Sequence, residues 1–311
     1  MRTAFIKALT HVAASDPRVT LVVGDLGYSV IEEFARRFPR QYVNAGVAEQ
    51  NMTGLAAGMA LAGRRVFTYS IGNFPTLRCL EQIRNDVCYH GAAVTIVTVG
   101  GGFAYGALGA SHHATEDLAI MRSLPRMTVV APGDPVEAGH ATRALAEAGG
   151  PAYLRLGKAG EPVVHDGPVA FEIGRAITVR GGSDVTLIAT GGMLHNAVRA
   201  AEALATRDRV QARVLSMHSI KPIDREAILA AASETGAIVT IEEHSVIGGL
   251  GGAVAEVLAE AAVGIPFRRI GIPSAFDTVV GSQEYLRGRH GLTVERLVPT
   301  IEGLLAVRAQ R

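Results

Sequence analysis

Two stretches of this 311-residue chain carry side chains whose types and spacing suit acid–base chemistry. The first is Asn44-Ala45-Gly46-Val47-Ala48-Glu49-Gln50-Asn51-Met52. It leaves a strand-like run, residues 40–44, and opens a helix of Gly, Ala, Leu and Met over residues 52–62. Glu49 is thus a carboxylate at the head of an otherwise apolar helix. A helix N-terminus favours negative charge, so one reading is a helix-start acid. The other is a group that shares a proton, because burial brings a carboxyl toward neutrality. The second stretch is Ser111-His112-His113-Ala114-Thr115-Glu116-Asp117, behind a glycine-rich loop that starts at Gly100. Adjacent histidines are seldom both core residues, and their spacing to the acids lacks the further ligands a zinc site needs. An imidazole there can hydrogen-bond a carbonyl or hydroxyl and move its proton. A GxGxxG run opening a helix, the mark of a dinucleotide loop, is absent.

The elements that must position these groups alternate. A helix over 3–15 leads to a strand over 19–23, which empties into Gly24-Asp25-Leu26-Gly27-Tyr28-Ser29 before another helix. Strands follow at 65–70 and 93–99, then a strand and turn over 128–135 and a strand within 150–158, with helices at 77–89 and 136–147. Residues 159–174, rich in Gly, Pro and charge, read as a linker. A second series begins near Ile177, with strands at 184–189, 211–216 and 237–242 and helices at 194–205 and 225–234. Lys221-Pro222-Ile223-Asp224 reads as a turn, and a final helix closes the chain. Strand–helix alternation at this spacing implies parallel sheets. The expected fold is therefore α/β, as two consecutive parallel-sheet domains over residues 1–165 and 175–311. Polar side chains at the carboxyl ends of parallel strands are where such sheets bind ligands.

Composition narrows the function. A net charge of +1 and no basic run with interleaved aromatics argue against a nucleic-acid partner. No apolar run approaches membrane-spanning length. Phe5, Leu9 and Val12 recur at helical spacing, so the start reads as a helix rather than a signal peptide. Cys79 and Cys88 form neither a CxxC pair nor a metal pattern, and read as reduced thiols of a cytoplasmic protein.

Gly46-Val47-Ala48-Glu49-Gln50 resembles the transketolase and deoxyxylulose-phosphate synthase segment whose glutamate activates thiamine diphosphate. Ser111–Asp117 and the Glu242-Glu243-His244-x-x-x-Gly248-Gly249-Leu250-Gly251 run extend the resemblance to nearly the whole chain. It implies a pyrimidine-binding domain followed by a transketolase C-terminal domain. Glu49 would then share a proton with the cofactor's aminopyrimidine ring, and Phe74, with Tyr69 second, would stack on that ring. His112 falls where the family keeps an active-site histidine, whereas His113 and His244 read as structural. Arg2, Ser29 and Lys158 match positions that contact a sugar phosphate, where Arg supplies a fork and Lys a point charge.

The resemblance covers only half of a transketolase. No Gly-Asp-Gly motif with a following Asn is present to bind the diphosphate and its metal. It implies a separate N-terminal subunit carrying that domain and the Mg2+ (or Ca2+) ligands, with this chain dimerising into an α2β2 assembly. A family histidine on the phosphate side falls at Gly100-Gly101, and a hydroxyl-reading aspartate falls at Leu108. The acceptor side is thus altered, which points to a modified, unphosphorylated or nucleotide-linked sugar. The β-subunit of a 2-oxo acid dehydrogenase, a deoxyxylulose-phosphate-synthase-like ligase and a non-catalytic scaffold subunit remain the other readings. The Ser111–Asp117 run and the Lys221–Asp224 turn look more transketolase-like than dehydrogenase-like.

Overall fold

The structure, a computed structural model, describes residues 1–309. Its strands form two sheets. The first has seven strands: β1 (Val19–Val23), β2 (Tyr42–Asn44), β3 (Arg65–Ile71), β4 (Val94–Val99), β5 (Thr128–Val130), β6 (Ala152–Leu156) and β10 (Ser219–Lys221), in the order β10-β5-β6-β4-β3-β1-β2. The second has five: β7 (Ile177–Arg180), β8 (Val185–Ala189), β9 (Ala212–Ser216), β11 (Ile238–Ser245) and β12 (Phe267–Ile272), in the order β12-β11-β8-β9-β7. The central strands are runs of Val, Ile, Leu and Thr buried on both faces, as parallel sheets covered by helices require. In the first unit, the helix Arg2–Ser15 lays Phe5 and Leu9 against Phe67 and Tyr69, and packs on the helix Pro135–Ala148. In the second, the helix Met193–Asp208 covers β8 and β9 with Leu194, Ala197, Ala201 and Leu204.

Neither sheet is wholly parallel. The strand β7 runs antiparallel to β9, and β10 runs antiparallel to β5. The second case corrects the reading of Lys221 as part of a turn: Ser219 pairs with Val130 and Lys221 with Val129, so a segment from the second half of the chain completes the first sheet. A three-residue strand cut off by Pro222 has too little length to show a period. Lys221 also suits a sheet edge, and its Nζ donates to the carbonyls of Arg122 and Leu124 at 3.0 and 2.6 Å.

A second correction falls on the expected helix over 77–89. It is broken into Phe74–Leu77, Leu80–Gln82 and a π-helical turn Ile83–Cys88. Pro75 suits the early start directly after β3. The Cys79 thiol then donates to the Phe74 carbonyl at 3.6 Å, where an α-helix would use a backbone N–H. The segment 159–174 has no regular structure, yet it is fastened down. Asp134 Oδ2 accepts from the N–H groups of Val164 and His165 at 2.9 and 3.1 Å, and Phe171 stacks on His218 at 4.0 Å. No described helix is long and apolar enough to cross a membrane.

Candidate active site

In the first sheet, chain order reverses direction between β1 and β3, the place where open α/β sheets bind ligands. The loops leaving the carboxyl ends of β2, β3, β4 and β6 bring most of the expected site residues to one edge. Glu49 occupies the first turn of the helix Glu49–Leu61 and is 5% exposed. Its Oε2 accepts from Arg78 Nη1 at 3.2 Å. The Arg78 guanidinium lies over the Phe74 ring, 4.5 Å from its centroid. The Phe74 ring meets His112 edge-on at 5.1 Å. His112 lies 6.3 Å from the Tyr105 ring, and Lys158 Nζ sits 4.7 Å from that ring's centroid. Glu49, Phe74, His112 and Lys158 thus form one chain of contacts, linked by Arg78 and Tyr105.

Arg78 and Tyr105 were not legible as site residues. An arginine after Leu77 looks like a surface cation, and a tyrosine inside a glycine-rich loop looks like a packing residue. Of the other expected residues, Tyr69 and Ser29 lie apart from this chain of contacts. Tyr69 is 1% exposed and stacks on Phe5 at 5.8 Å, so its ring belongs to the core and offers no free face. Burial raises its phenol pKa well above the usual range, with the Arg2 charge opposing the rise; Arg2 acts on Tyr105 in the same sense. Ser29 is exposed in the loop after β1, at φ +65°, and its N–H donates to Glu32 Oε1 at 2.6 Å. Among the described residues it makes no hydrogen bond to the chain of groups that runs from Glu49 to Lys158.

The loop that carries His112 is held from below. Three successive glycines leave room for three different neighbours. A Cβ at Gly100 would run into the Tyr105 ring, one at Gly101 would stand 2.7 Å from Arg155 Nε, and one at Gly102 would stand 2.6 Å from the Glu243 carboxyl. The glycine run therefore serves close packing rather than a phosphate cradle. Glu243, on β11, accepts from the Phe103 N–H at 2.7 Å and is clamped by Gln283 and Arg287. Phe103 in turn sits against His113 and His290. His113 is buried and its Nε2 meets the Gly106 carbonyl at 3.2 Å, a structural placement. His244 is buried too: its Nδ1 faces the Ser245 carbonyl at 2.7 Å while Nε2 accepts from the Ala119 N–H at 3.3 Å. That pairing holds one neutral tautomer, and burial pushes the ring down to about 4. The second half of the chain thus fixes the loop that presents His112.

His112 itself is part-buried, with Nδ1 at 3.0 Å from Ser111 Oγ. Burial, and then the neighbouring His113, lower its pKa from the usual histidine value. It is therefore a neutral imidazole at neutral pH, able to accept a proton. Among the described residues no group of three His, Cys, Asp or Glu side chains is arranged to hold a metal ion.

Two α/β units, with a buried carboxylate and a neutral imidazole at the strand ends of the first, define a site class built for proton transfer beside an aromatic ring. The chain belongs to the transketolase family: residues 1–160 match the family model "Transketolase, pyrimidine binding domain" and residues 174–297 match "Transketolase, C-terminal domain". It is 40% identical over 301 residues to one of the subunits of the apulose-4-phosphate transketolase of Phocaeicola vulgatus, covering 96% of this chain and 95% of that protein. It is 38% identical over 299 residues to the 6-deoxy-6-sulfo-D-fructose transketolase subunit SqwH of Clostridium sp., covering 96% and 92%. A solved structure described as a split gene transketolase, inactive beta4 tetramer, superposes with a TM-score of 0.89 at 40% identity, covering 99% of this chain and 98% of that one.

Proposed function

We propose that this chain is one component of a thiamine-diphosphate-dependent transketolase, moving a two-carbon ketol unit from a ketose donor to an aldose acceptor. The observation that carries the reading is the buried Glu49 carboxylate sharing one strand-end edge with Phe74 and His112. Residues 1–165 form the pyrimidine-binding domain and 175–311 the C-terminal domain. The diphosphate and its Mg2+ or Ca2+ are held by a separate N-terminal subunit, in an α2β2 assembly. Support comes from relatives that are themselves named as subunits and that the match covers to 95% and 92% of their length. Two buried free thiols suit a cytoplasmic setting.

The residues fit the cofactor's aminopyrimidine. Arg78 now covers the Phe74 ring, but its side chain is 55% exposed. A pair so exposed is worth about 1 kcal/mol at most, so an aromatic ring can take the guanidinium's place. Glu49 would then share a proton with the cofactor's ring nitrogen, and Phe74 would orient the ring. When bound, the cofactor supplies the electron sink for the two-carbon unit. His112 exchanges a proton with a substrate hydroxyl or carbonyl. Arg2, Ser29 and Lys158 receive the anionic end of the sugar. Leu108 stands where the family's aspartate reads a hydroxyl, and relatives named for apulose 4-phosphate and for 6-deoxy-6-sulfo-D-fructose support a modified sugar as substrate.

Calorimetry with thiamine diphosphate and magnesium tests the shared site. Tight binding is expected only when this chain and its partner are mixed; tight binding by this chain alone would overturn the reading. Substituting His112→Asn in the complex is expected to lower kcat about 100-fold, the small end of the range for a lost acid–base group. The pH profile adds a second check. Because the His112 pKa lies below its ordinary 6.5, the acid limb of kcat/KM is expected below pH 6.5 in the wild type and absent in the variant. An acid limb unchanged by the substitution would remove His112 from proton transfer.

A further inference from the structure

The second sheet has its own reversal of chain direction, between β8 and β11. A cavity of about 110 Å³ opens there, between the two units. It is walled by Gly191 and Gly192 after β8, Glu243 on β11, Arg287, and Arg155 at the end of β6. Nothing in the proposed transketolase chemistry uses it.

We infer that this cavity is a binding site for a phosphoryl group, as inorganic phosphate or as the terminal phosphate of a small metabolite. Three observations converge. Arg155 is 5% exposed, and all of its side-chain hydrogen bonds among the described residues run through Nε and Nη2. Its Nη1 makes none of them and lies 3.8 Å from the place a Gly191 Cβ would occupy, on the side where Arg155 lines the cavity. Arg287 likewise spends Nε and Nη2 on Glu243, and its Nη2 reaches within 3.2 Å of the Gly192 Cβ position. The helix Met193–Asp208 starts at Gly192 with no side-chain cap; the Leu194 N–H is taken by the Gly191 carbonyl at 3.1 Å, and the rest of the first turn, with His195 in the cavity wall, is left for an anion.

The carboxylates in the wall are already engaged. Glu243 is taken by Phe103, Gln283 and Arg287, and Glu161 accepts from the Met1 backbone nitrogen at 2.6 Å. Donors are thus in excess over acceptors, which is what an oxyanion requires. The volume is enough for one phosphoryl group.

The test is calorimetric titration of the full chain with inorganic phosphate and with glycerol 3-phosphate, at ionic strength fixed by chloride. Saturable binding at millimolar or tighter Kd is expected, with the ester tighter if the ligand is a metabolite and inorganic phosphate tighter if it is the free ion. Gly192→Asp places a carboxylate beside Arg287 and is expected to weaken binding at least tenfold. His195→Phe fills the cavity without touching the Glu243 clamp and is expected to do the same. Lys158→Ala, at the sugar edge, should leave the affinity within twofold. Binding lost in Lys158→Ala but kept in the other two variants, or no saturable binding by the folded wild type, would overturn the site. A failure here leaves the transketolase reading standing, because that reading is tested with thiamine diphosphate.

Discussion

Glu49→Gln is expected to abolish measurable turnover of the assembled enzyme, lowering kcat by about 10²–10⁴-fold, the range for a lost acid–base group. The substitution is nearly isosteric. The amide keeps a hydrogen-bonding oxygen but cannot hold and return a proton at the aminopyrimidine. The structure explains why the fold should tolerate it. Glu49 lies on the first turn of a 13-residue helix that is anchored in the core by Met52, Ala56 and Ala57. Losing a first-turn charge costs about 0.5 kcal/mol. Losing the half-exposed Arg78 pair costs about 1 kcal/mol at most. Thermal unfolding of the free chain should therefore shift by a few degrees at most while activity collapses. Glu49→Asp separates position from charge: it keeps the proton site but withdraws it by one methylene, and should retain part of the rate. Turnover of Glu49→Gln within threefold of wild type, in a verified complex, would favour the scaffold reading.

The uneven legibility of this molecule has physical causes. The buried parallel strands were readable because they are short β-branched runs bounded by glycine and proline: β1 falls on 19–23 as expected, and the helix Arg225–Glu234 on its expected bounds. Glu49 and His112 could be singled out because a carboxylate heading an apolar helix and a pair of adjacent histidines are both unusual locally. What local pattern could not show was which face of β3 Tyr69 points to. An aromatic near a strand end is equally consistent with a ligand and with Phe5 behind it. Nor could it show that Ser219–Lys221 crosses to the first sheet, since three residues before a proline carry no period. Arg78 and Tyr105 were hidden for another reason: they join the site through contacts 29 and 7 residues away along the chain, to Glu49 and His112. Nothing local distinguishes them from a surface cation and a packing ring. The glycine run at 100–102 was seen, yet its purpose depends on Tyr105, Arg155 and Glu243, two of which arrive from distant strands.

Asp117→Ala is expected to destabilise the protein by about 3–5 kcal/mol, the usual penalty for stripping the partner from a buried ion pair. Asp117 is 1% exposed and accepts from Arg155 Nε at 2.8 Å, from Arg155 Nη2 at 3.2 Å and from the Tyr153 hydroxyl at 2.6 Å. Burial and the Asp117 charge keep that phenol protonated, so it always donates. The same guanidinium reaches the carbonyls of Ala114 at 2.7 Å and Glu243 at 3.0 Å. One buried cation therefore ties β6, the loop behind His112, the helix Asp117–Ser123 and β11 of the second unit. Without Asp117 the cation loses its paired carboxylate and the phenol its acceptor. Against a total stability typically near about 5–15 kcal/mol, that is a large fraction. The double variant Asp117→Leu with Arg155→Met should recover much of the loss, since no uncompensated charge remains. It should not recover all, because the Ala114 and Glu243 carbonyls then lack a donor, at about 1–3 kcal/mol each. Denaturant midpoints at constant slope would measure the cycle. His112 supplies the functional readout: with its loop untied, the double variant should bind substrate with a near-normal KM yet turn over more slowly. Equal losses in the single and double variants would mean that Asp117 contributes packing alone, and that the position of His112 is set by Glu243 and Phe103.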